Sequence, residues 1–135
     1  MINEVAYSDV LNIRHRVMYP EQEEKIVMLD NDNKGLHIGY YVNNKAVSVF
    51  SLFLENEGIQ FRKFATLIEY QNKGYGTKLM EWLLDYAKDM KFKRVWCNAR
   101  IEKTSFYEKF GFQKTEYIFE KNGYRFMVIE KQLND

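Results

Sequence analysis

A chain of 135 residues, 46% hydrophobic and 16% aromatic, carries enough apolar side chain for one packed core and is too short for two ordinary domains. The net charge of +1 excludes a field of one sign that would draw the whole chain to nucleic acid or to an anionic membrane. A single cysteine, Cys97, excludes an internal disulfide framework; with no apolar run of bilayer length and no basic-then-apolar leader, the expectation is one cytoplasmic domain over residues 1–135 with no membrane partner.

In chain order, Ile2 to Tyr7 reads as a short strand, and a helix from about Ser8, an N-capping residue type, must end before Pro20. "PEQEEKIVMLD" is compatible with a second short helix having Pro20 in its first turn, and "NDNKG" is a loop on composition. "LHIGYYV", "KAVSVFSLFL" and "GIQFRKFATLI" are β-branched and aromatic runs separated by the turn signals "NNK" and "ENEG", which predicts three consecutive antiparallel strands. From Lys78 to Met90 the apolar residues Leu79, Met80, Leu83, Leu84, Ala87 and Met90 fall on one helical face. "KRVWCNA" is a further strand, "EKTSFYEKF" a short helix closed by Gly111, and "YIFEKNGYRFMVIEK" a hairpin turning at Asn122-Gly123.

The segment "EYQNKGYGTKLMEWLLDYAKDM", residues 69–90, places Gly74 and Gly76 at the mouth of the amphipathic helix. A helix start presents unpaired N–H groups and the positive end of the macrodipole, and a loop without side chains lets an anion approach them, with Lys73 and Lys78 adding charge. The spacing is neither that of a nucleoside-triphosphate P-loop nor of a dinucleotide-binding fold, and taken alone it equally fits a tight strand-to-helix turn.

A second stretch, "WCNARIEKTSFYEKFGF", separates these readings. The two together resemble the GNAT superfamily of acyl-coenzyme A (CoA)-dependent N-acyltransferases, and the N-terminal part is similar to a small bacterial subgroup of it. Gln71, Gly74 and Gly76 match the family pattern [QR]-x-x-G-x-[GA]; "FATLIEY" lies in register with its preceding strand motif; Phe106, Tyr107, Gly111 and Phe112 match F-Y-x-x-x-G-F. The resemblance covers roughly residues 45 to 131. It implies an α+β, α/β/α-layered fold: a mixed, mostly antiparallel sheet of six or seven strands, helices on both faces, splayed between the fourth and fifth strands.

It also implies a site. Backbone amides of Gln71, Asn72, Lys73, Gly74, Tyr75, Gly76 and Thr77 would hold the CoA pyrophosphate, while Phe64, Ala65 and Thr66 would bond the pantetheine arm like an added strand. Acetyl-CoA is then the cosubstrate, no metal is required, and Tyr107 protonates the departing thiolate as an amine of a small molecule or peptide attacks. Two departures from the family pattern are Arg100, where an asparagine that contacts the cofactor arm is common, and Thr66 and Ile68 in place of valine and proline. Arg100 is accordingly expected at a phosphate, a substrate carboxylate or a neighbouring acid.

For the general base, Glu57, Glu69, His37 and a water held by carbonyls are all candidates. His15 reads as solvated, and Cys97 as packing inside a strand. The acceptor pocket in such proteins is walled by the N-terminal helix and the last hairpin, which points to Arg14, Arg16, Tyr19, His37 and Tyr124, with Tyr117, Phe119 and Arg125 beside them; arginines on a helix face are otherwise usually solvated. A monomer or homodimer without nucleic acid is expected. A non-catalytic acyl-CoA sensor on the same fold is the alternative, since it would keep the glycine loop without needing Tyr107.

Overall fold

The computed structural model describes residues 1–133; the last two positions of the expected domain, 134–135, lie outside the described residues. The elements are β1 (Ile2–Glu4), α1 (Tyr7–Met18), β2 (Leu36–Val42), β3 (Lys45–Leu54), β4 (Gly58–Thr66), α2 (Tyr75–Asp89), β5 (Arg94–Arg100), α3 (Thr104–Glu108), β6 (Gln113–Lys121) and β7 (Tyr124–Gln132). Short 3-10 turns occupy Glu24–Val27, Asp32–Lys34, Ile68–Tyr70 and Ile101–Lys103. Seven strands form a mixed sheet of order β1-β2-β3-β4-β5-β7-β6, mostly antiparallel, with β4 and β5 parallel where Gly58, Ile59 and Gln60 face Arg94, Val95 and Trp96. The chain divides into two compact units: Met1–Phe53 with Phe61–Leu83, and Leu54–Gln60 with the residues from Leu84 onward.

Two hairpins owe their register to residues that tolerate positive φ. Asn43 and Asn44, at φ 50° and 66°, set Val42 opposite Lys45 between β2 and β3. Asn122 and Gly123, at 53° and 84°, set Lys121 opposite Tyr124 between β6 and β7. Both turns stand where the sequence places them.

In the first unit β3 is buried on both faces. Val47 and Val49 pack with Val10 and Ile13 of α1 and with Ala65, while Phe50 points the other way, toward Phe61, Phe64 and Trp82 of α2. Helices therefore cover both faces of this part of the sheet. In β4 the alternation breaks, because Lys63 has φ 55°: Phe61 and Phe64, three positions apart, turn their rings to the α2 face and contact each other at 6.4 Å. A strand of strict period two would have put them on opposite faces.

Several sequence expectations are corrected. Helix α1 begins at Tyr7 with Ala6 as its N-cap, and the Ala6 carbonyl accepts from the amides of Asp9 and Val10, so Ser8 lies inside the first turn and caps nothing. Pro20 lies in a turn ahead of the 3-10 segment Glu24–Val27 rather than in a helix, and the "NDNKG" loop contains the 3-10 turn Asp32–Lys34. Helix α2 starts at Tyr75, three residues before Lys78, and Met90, expected on its apolar face, lies beyond its end and is 56% exposed. Among the described residues no helix is long and apolar enough to cross a membrane.

The largest departure from a solvated helix face is Arg14, which is fully buried. Its guanidinium donates to both carboxylate oxygens of Asp32 at 2.8 and 2.9 Å, to the Val27 carbonyl at 2.7 Å and to Ser51 Oγ at 2.8 Å. Tyr7 donates its hydroxyl to the same carboxylate at 2.5 Å, and the Leu29 amide does so at 3.0 Å. His37 joins the cluster through both ring nitrogens: Nε2 donates to the Asp32 carbonyl at 3.0 Å, leaving Nδ1 to accept from Ser51 Oγ at 2.6 Å. Burial alone would raise the Asp32 pKa, but the bonds from Arg14, Tyr7 and Leu29 and the charge of Arg14 outweigh it and hold the carboxyl at about 2, below its usual 3.8.

This pair ties α1 to the 3-10 segments and to β3, so removing one partner strands a buried charge. Asp32→Asn is expected to lower unfolding free energy by about 3–5 kcal/mol, read by urea denaturation at neutral pH. Because Asp32 titrates lower in the folded chain than in the unfolded one, its contribution is complete above about pH 4 and fades as pH falls toward 2. The wild-type stability profile should carry that acid slope and the asparagine variant should lack that component.

Candidate active site

Strand β4 hands the chain to α2 through a tightly bonded connection in the first unit. Leu67 N donates to the Val47 carbonyl at 2.9 Å, Tyr70 N to Leu67 O at 2.8 Å, and the Gln71 side chain returns to the Thr66 carbonyl at 2.9 Å. Thr66 is further held by a 2.7 Å bond between its hydroxyl and that of Ser48. After this anchored turn the loop Gln71–Gly74 is exposed, with Asn72 at φ 60° and Gly74 at φ 88°.

The two glycines do different work. A Cβ on Gly74 would meet nothing within 4 Å, so its requirement is conformational, and the side that a residue would fill is open. A Cβ on Gly76 would come within 3.2 Å of the Phe64 ring, so this glycine lets the first turn of α2 lie against β4. The first turn contains no acidic residue, and its opening backbone bond is Lys78 N to Gly74 O, so the amides of Tyr75 to Thr77 lack an acceptor one turn back, whereas the Gln71 amide donates to the Ile68 carbonyl at 3.2 Å. Three lysines surround the loop through neighbouring tyrosines: Lys73 and Lys45 lie 5.8 and 5.6 Å from the Tyr70 ring, and Lys78 lies 5.5 Å from the Tyr40 ring. Tyr75 joins this group, 4.8 Å from Tyr40 and 6.2 Å from Tyr70. An exposed loop, open beside Gly74, with free amides and no carboxylate fits a diphosphate. Lys45, at the start of β3, was not signalled by the glycine motif because the sheet, not the local sequence, brings it there.

In the second unit Tyr107 stands on α3, which Thr104 steadies by donating its hydroxyl to the Ile101 carbonyl at 3.0 Å. Gly111 adopts φ 92° and reverses the chain, bringing the buried Phe112 back against the Tyr107 ring at 6.0 Å; Phe106 meets that ring edge-on at 5.2 Å. Burial pushes the Tyr107 phenol far above its ordinary range, and the nearby Cys97 pushes it in the same direction. The hydroxyl is therefore firmly protonated. Cys97 is 3% exposed, and burial raises its thiol well above the usual range.

Arg100, expected at a phosphate, a substrate carboxylate or a neighbouring acid, and Tyr124, expected in the acceptor pocket, lie together: the guanidinium stacks 3.8 Å from the ring centroid of Tyr124 on the β5–β7 pair. Tyr117 and Phe119 on β6 and Arg125 on β7 are exposed. Of the N-terminal candidates, Arg14 and His37 are engaged in the buried cluster, Tyr19 is buried with Leu11 and Val27, and Arg16 is exposed with Glu69 at 3.7 Å. The other carboxylate considered as a base, Glu57, is exposed beside Lys93 at 3.7 Å. His15, expected to be solvated, is bonded to the Gln22 carbonyl at 2.5 Å.

The family model "Acetyltransferase (GNAT) domain" matches residues 3–133. An uncharacterised N-acetyltransferase of Bacillus subtilis, YitI, is 25% identical over 131 residues, covering 90% of this chain and 88% of that one. A solved structure from Lactobacillus plantarum superposes with a TM-score of 0.86 at 16% identity, covering 99% and 97% of the two chains. A GNAT family acetyltransferase from Elizabethkingia anophelis, solved with acetyl-CoA bound, gives 0.75 at 18% identity, covering 98% and 97%. The chain belongs to the GNAT family and is an acetyltransferase.

The inert setting of Cys97 yields a direct check. In the native protein at pH 8 a thiol reagent such as Ellman's should label Cys97 negligibly over an hour, and stoichiometrically once denaturant is added. Stoichiometric labelling of the native chain within minutes would show the thiol to be exposed.

Proposed function

We propose that this protein transfers the acetyl group of acetyl-CoA directly to a primary amine of a small molecule or peptide. The observation that carries the reading is the Gly74 loop, whose positive φ and open flank expose the first amides of α2 to an anion. In this reading the amides from Asn72 to Thr77 hold the pyrophosphate, the expected Gln71 amide being engaged by the Ile68 carbonyl at 3.2 Å, and backbone groups of Phe64, Ala65 and Thr66 are assigned to the pantetheine arm, with the Thr66 carbonyl already accepting from the Gln71 side chain. Arg100 would stabilise an anionic part of one substrate from its place over Tyr124. The family match over residues 3–133 supports treating the two units as one domain.

Chemically, the neutral amine attacks the thioester carbon, the carbon–sulfur bond breaks, and the sulfur takes the phenolic proton of Tyr107 while the amine loses its own to water. A desolvated phenol is poorly acidic in the ground state, which keeps the donor loaded; the thiolate that forms as the bond breaks is the charge it answers. Both nitrogens of His37 are hydrogen-bonded and both candidate glutamates lie beside cations, which supports a water rather than these side chains as base.

Two measurements test this. Calorimetry should show acetyl-CoA binding that Gly74→Val weakens at least tenfold while the variant remains folded, because valine strains the left-handed backbone and fills the open flank. Unchanged affinity would remove the loop from the site. Tyr107→Phe should bind acetyl-CoA normally but lose on the order of 10²-fold in kcat with an accepted amine, with KM little changed. A phenylalanine variant with full kcat, where chemistry limits the rate, would exclude Tyr107 as the acid.

A further inference from the structure

One charged side chain on β4 has no work in the scheme above. Arg62 is half-buried, and among the described residues it makes no hydrogen bond and no ion pair. Partly buried guanidinium groups are ordinarily paired, since desolvation without compensation is costly. Its surroundings worsen the imbalance. Phe61 before it turns to the α2 face and Ala65 after it packs against α1, so Arg62 lies on the α1 side, where the buried Arg14 is already neutralised by Asp32. Burial and the charge of Arg14 both press against the charged state of Arg62, and Asp32 only partly offsets them. The neighbouring Lys63, held at φ 55°, adds its ammonium 5.6 Å from the ring of Tyr19 on the same side. The left-handed backbone at Lys63 is what interrupts the alternation and brings two successive cations together.

From this unpaired guanidinium beside Lys63 and Tyr19 we propose that the amine acceptor carries a carboxylate or phosphate, and that Arg62 is the residue that binds it. This rests on the acetyltransfer reading and names the substrate class for it. The anion completes a bidentate pair that the folded chain leaves open, and Lys63, its ammonium held over the ring of the buried Tyr19, adds a second cation beside it. The same chemistry could in principle be met by a phosphate of acetyl-CoA, so the test separates the two sources.

The probes are matched pairs of amines with and without the anion: lysine and cadaverine, phenylalanine and phenethylamine, phosphoethanolamine and ethanolamine. Each is titrated calorimetrically into protein saturated with CoA, so turnover is not needed. The expected result is that at least one anionic member binds tenfold or more tightly than its partner, and that Arg62→Gln removes roughly ten- to hundredfold of that affinity. Acetyl-CoA affinity should be unchanged in the variant. Thermal stability should be unchanged or higher, because an unpaired charge has been removed; a merely structural arginine would instead lower it. Equal or absent binding within every pair overturns the proposal. So does a loss of acetyl-CoA affinity in Arg62→Gln, which would place the charge on the cosubstrate. Failure of acetyl-CoA to bind the wild type would instead overturn the acetyltransfer reading on which the proposal rests.

Discussion

The first unit is organised around a guanidinium that has been taken out of water. Arg14 can be buried only because the Asp32 carboxylate, the Val27 carbonyl and the Ser51 hydroxyl meet the donors of its two terminal nitrogens, while its Nε has no partner among the described residues; each acceptor belongs to a different segment: the 3-10 turns between α1 and β2, and strand β3. A hydrophobic contact would tolerate a shift of an ångström between these segments; a fork of directed hydrogen bonds does not. The segment between α1 and β2 contains no helix longer than a 3-10 turn and gains its fixed course from this cluster. The pair is better understood as a constraint on geometry than as net stability, since the desolvation of two charges offsets much of their attraction.

That constraint shapes the electrostatics nearby. With Arg14 and Asp32 cancelling each other, and His37 bonded at both nitrogens, the charge of the cluster is balanced. Two charges of β4, on Arg62 and Lys63, also stand on the α1 side of the sheet, where the strand's alternation is interrupted. Backbone irregularity and the proposed site coincide elsewhere too. Gly74 opens the start of α2, and Gly111 folds Phe112 back onto Tyr107. At each of these points a left-handed residue redirects the chain, and a regular helix or strand could not place the same groups.

Tyr107 illustrates how packing tunes reactivity. Its ring lies among Phe106 and Phe112, in surroundings that disfavour phenolate, and Cys97 shares the same apolar setting. A phenol so placed does not lose its proton at rest; in the proposed reaction its poor acidity would be overcome only against the charge of a forming thiolate. The thiol beside it is inert for the same reason.

Much of this was legible in the sequence. The strands "LHIGYYV" and "KAVSVFSLFL" appear with the boundaries their composition suggests, the Asn-Asn and Asn-Gly turns are where positive φ is cheapest, and the glycine loop and "FYEKFGF" carried the family. These features are local: their physics lies within a few neighbouring residues. What the sequence could not give depends on residues far apart in the chain. Ser8 looks like a cap and is not one, because Ala6 already supplies the carbonyl that starts α1. Arg14 and Arg16 are indistinguishable on a helix until the fold buries one against Asp32 and leaves the other exposed beside Glu69. The doublet Arg62-Lys63 was visible as two charges in an apolar strand, but period two would assign them to opposite faces. Only the tertiary structure, through the left-handed backbone at Lys63, set both toward α1, because burial and pairing are properties of the assembled layers rather than of the chain.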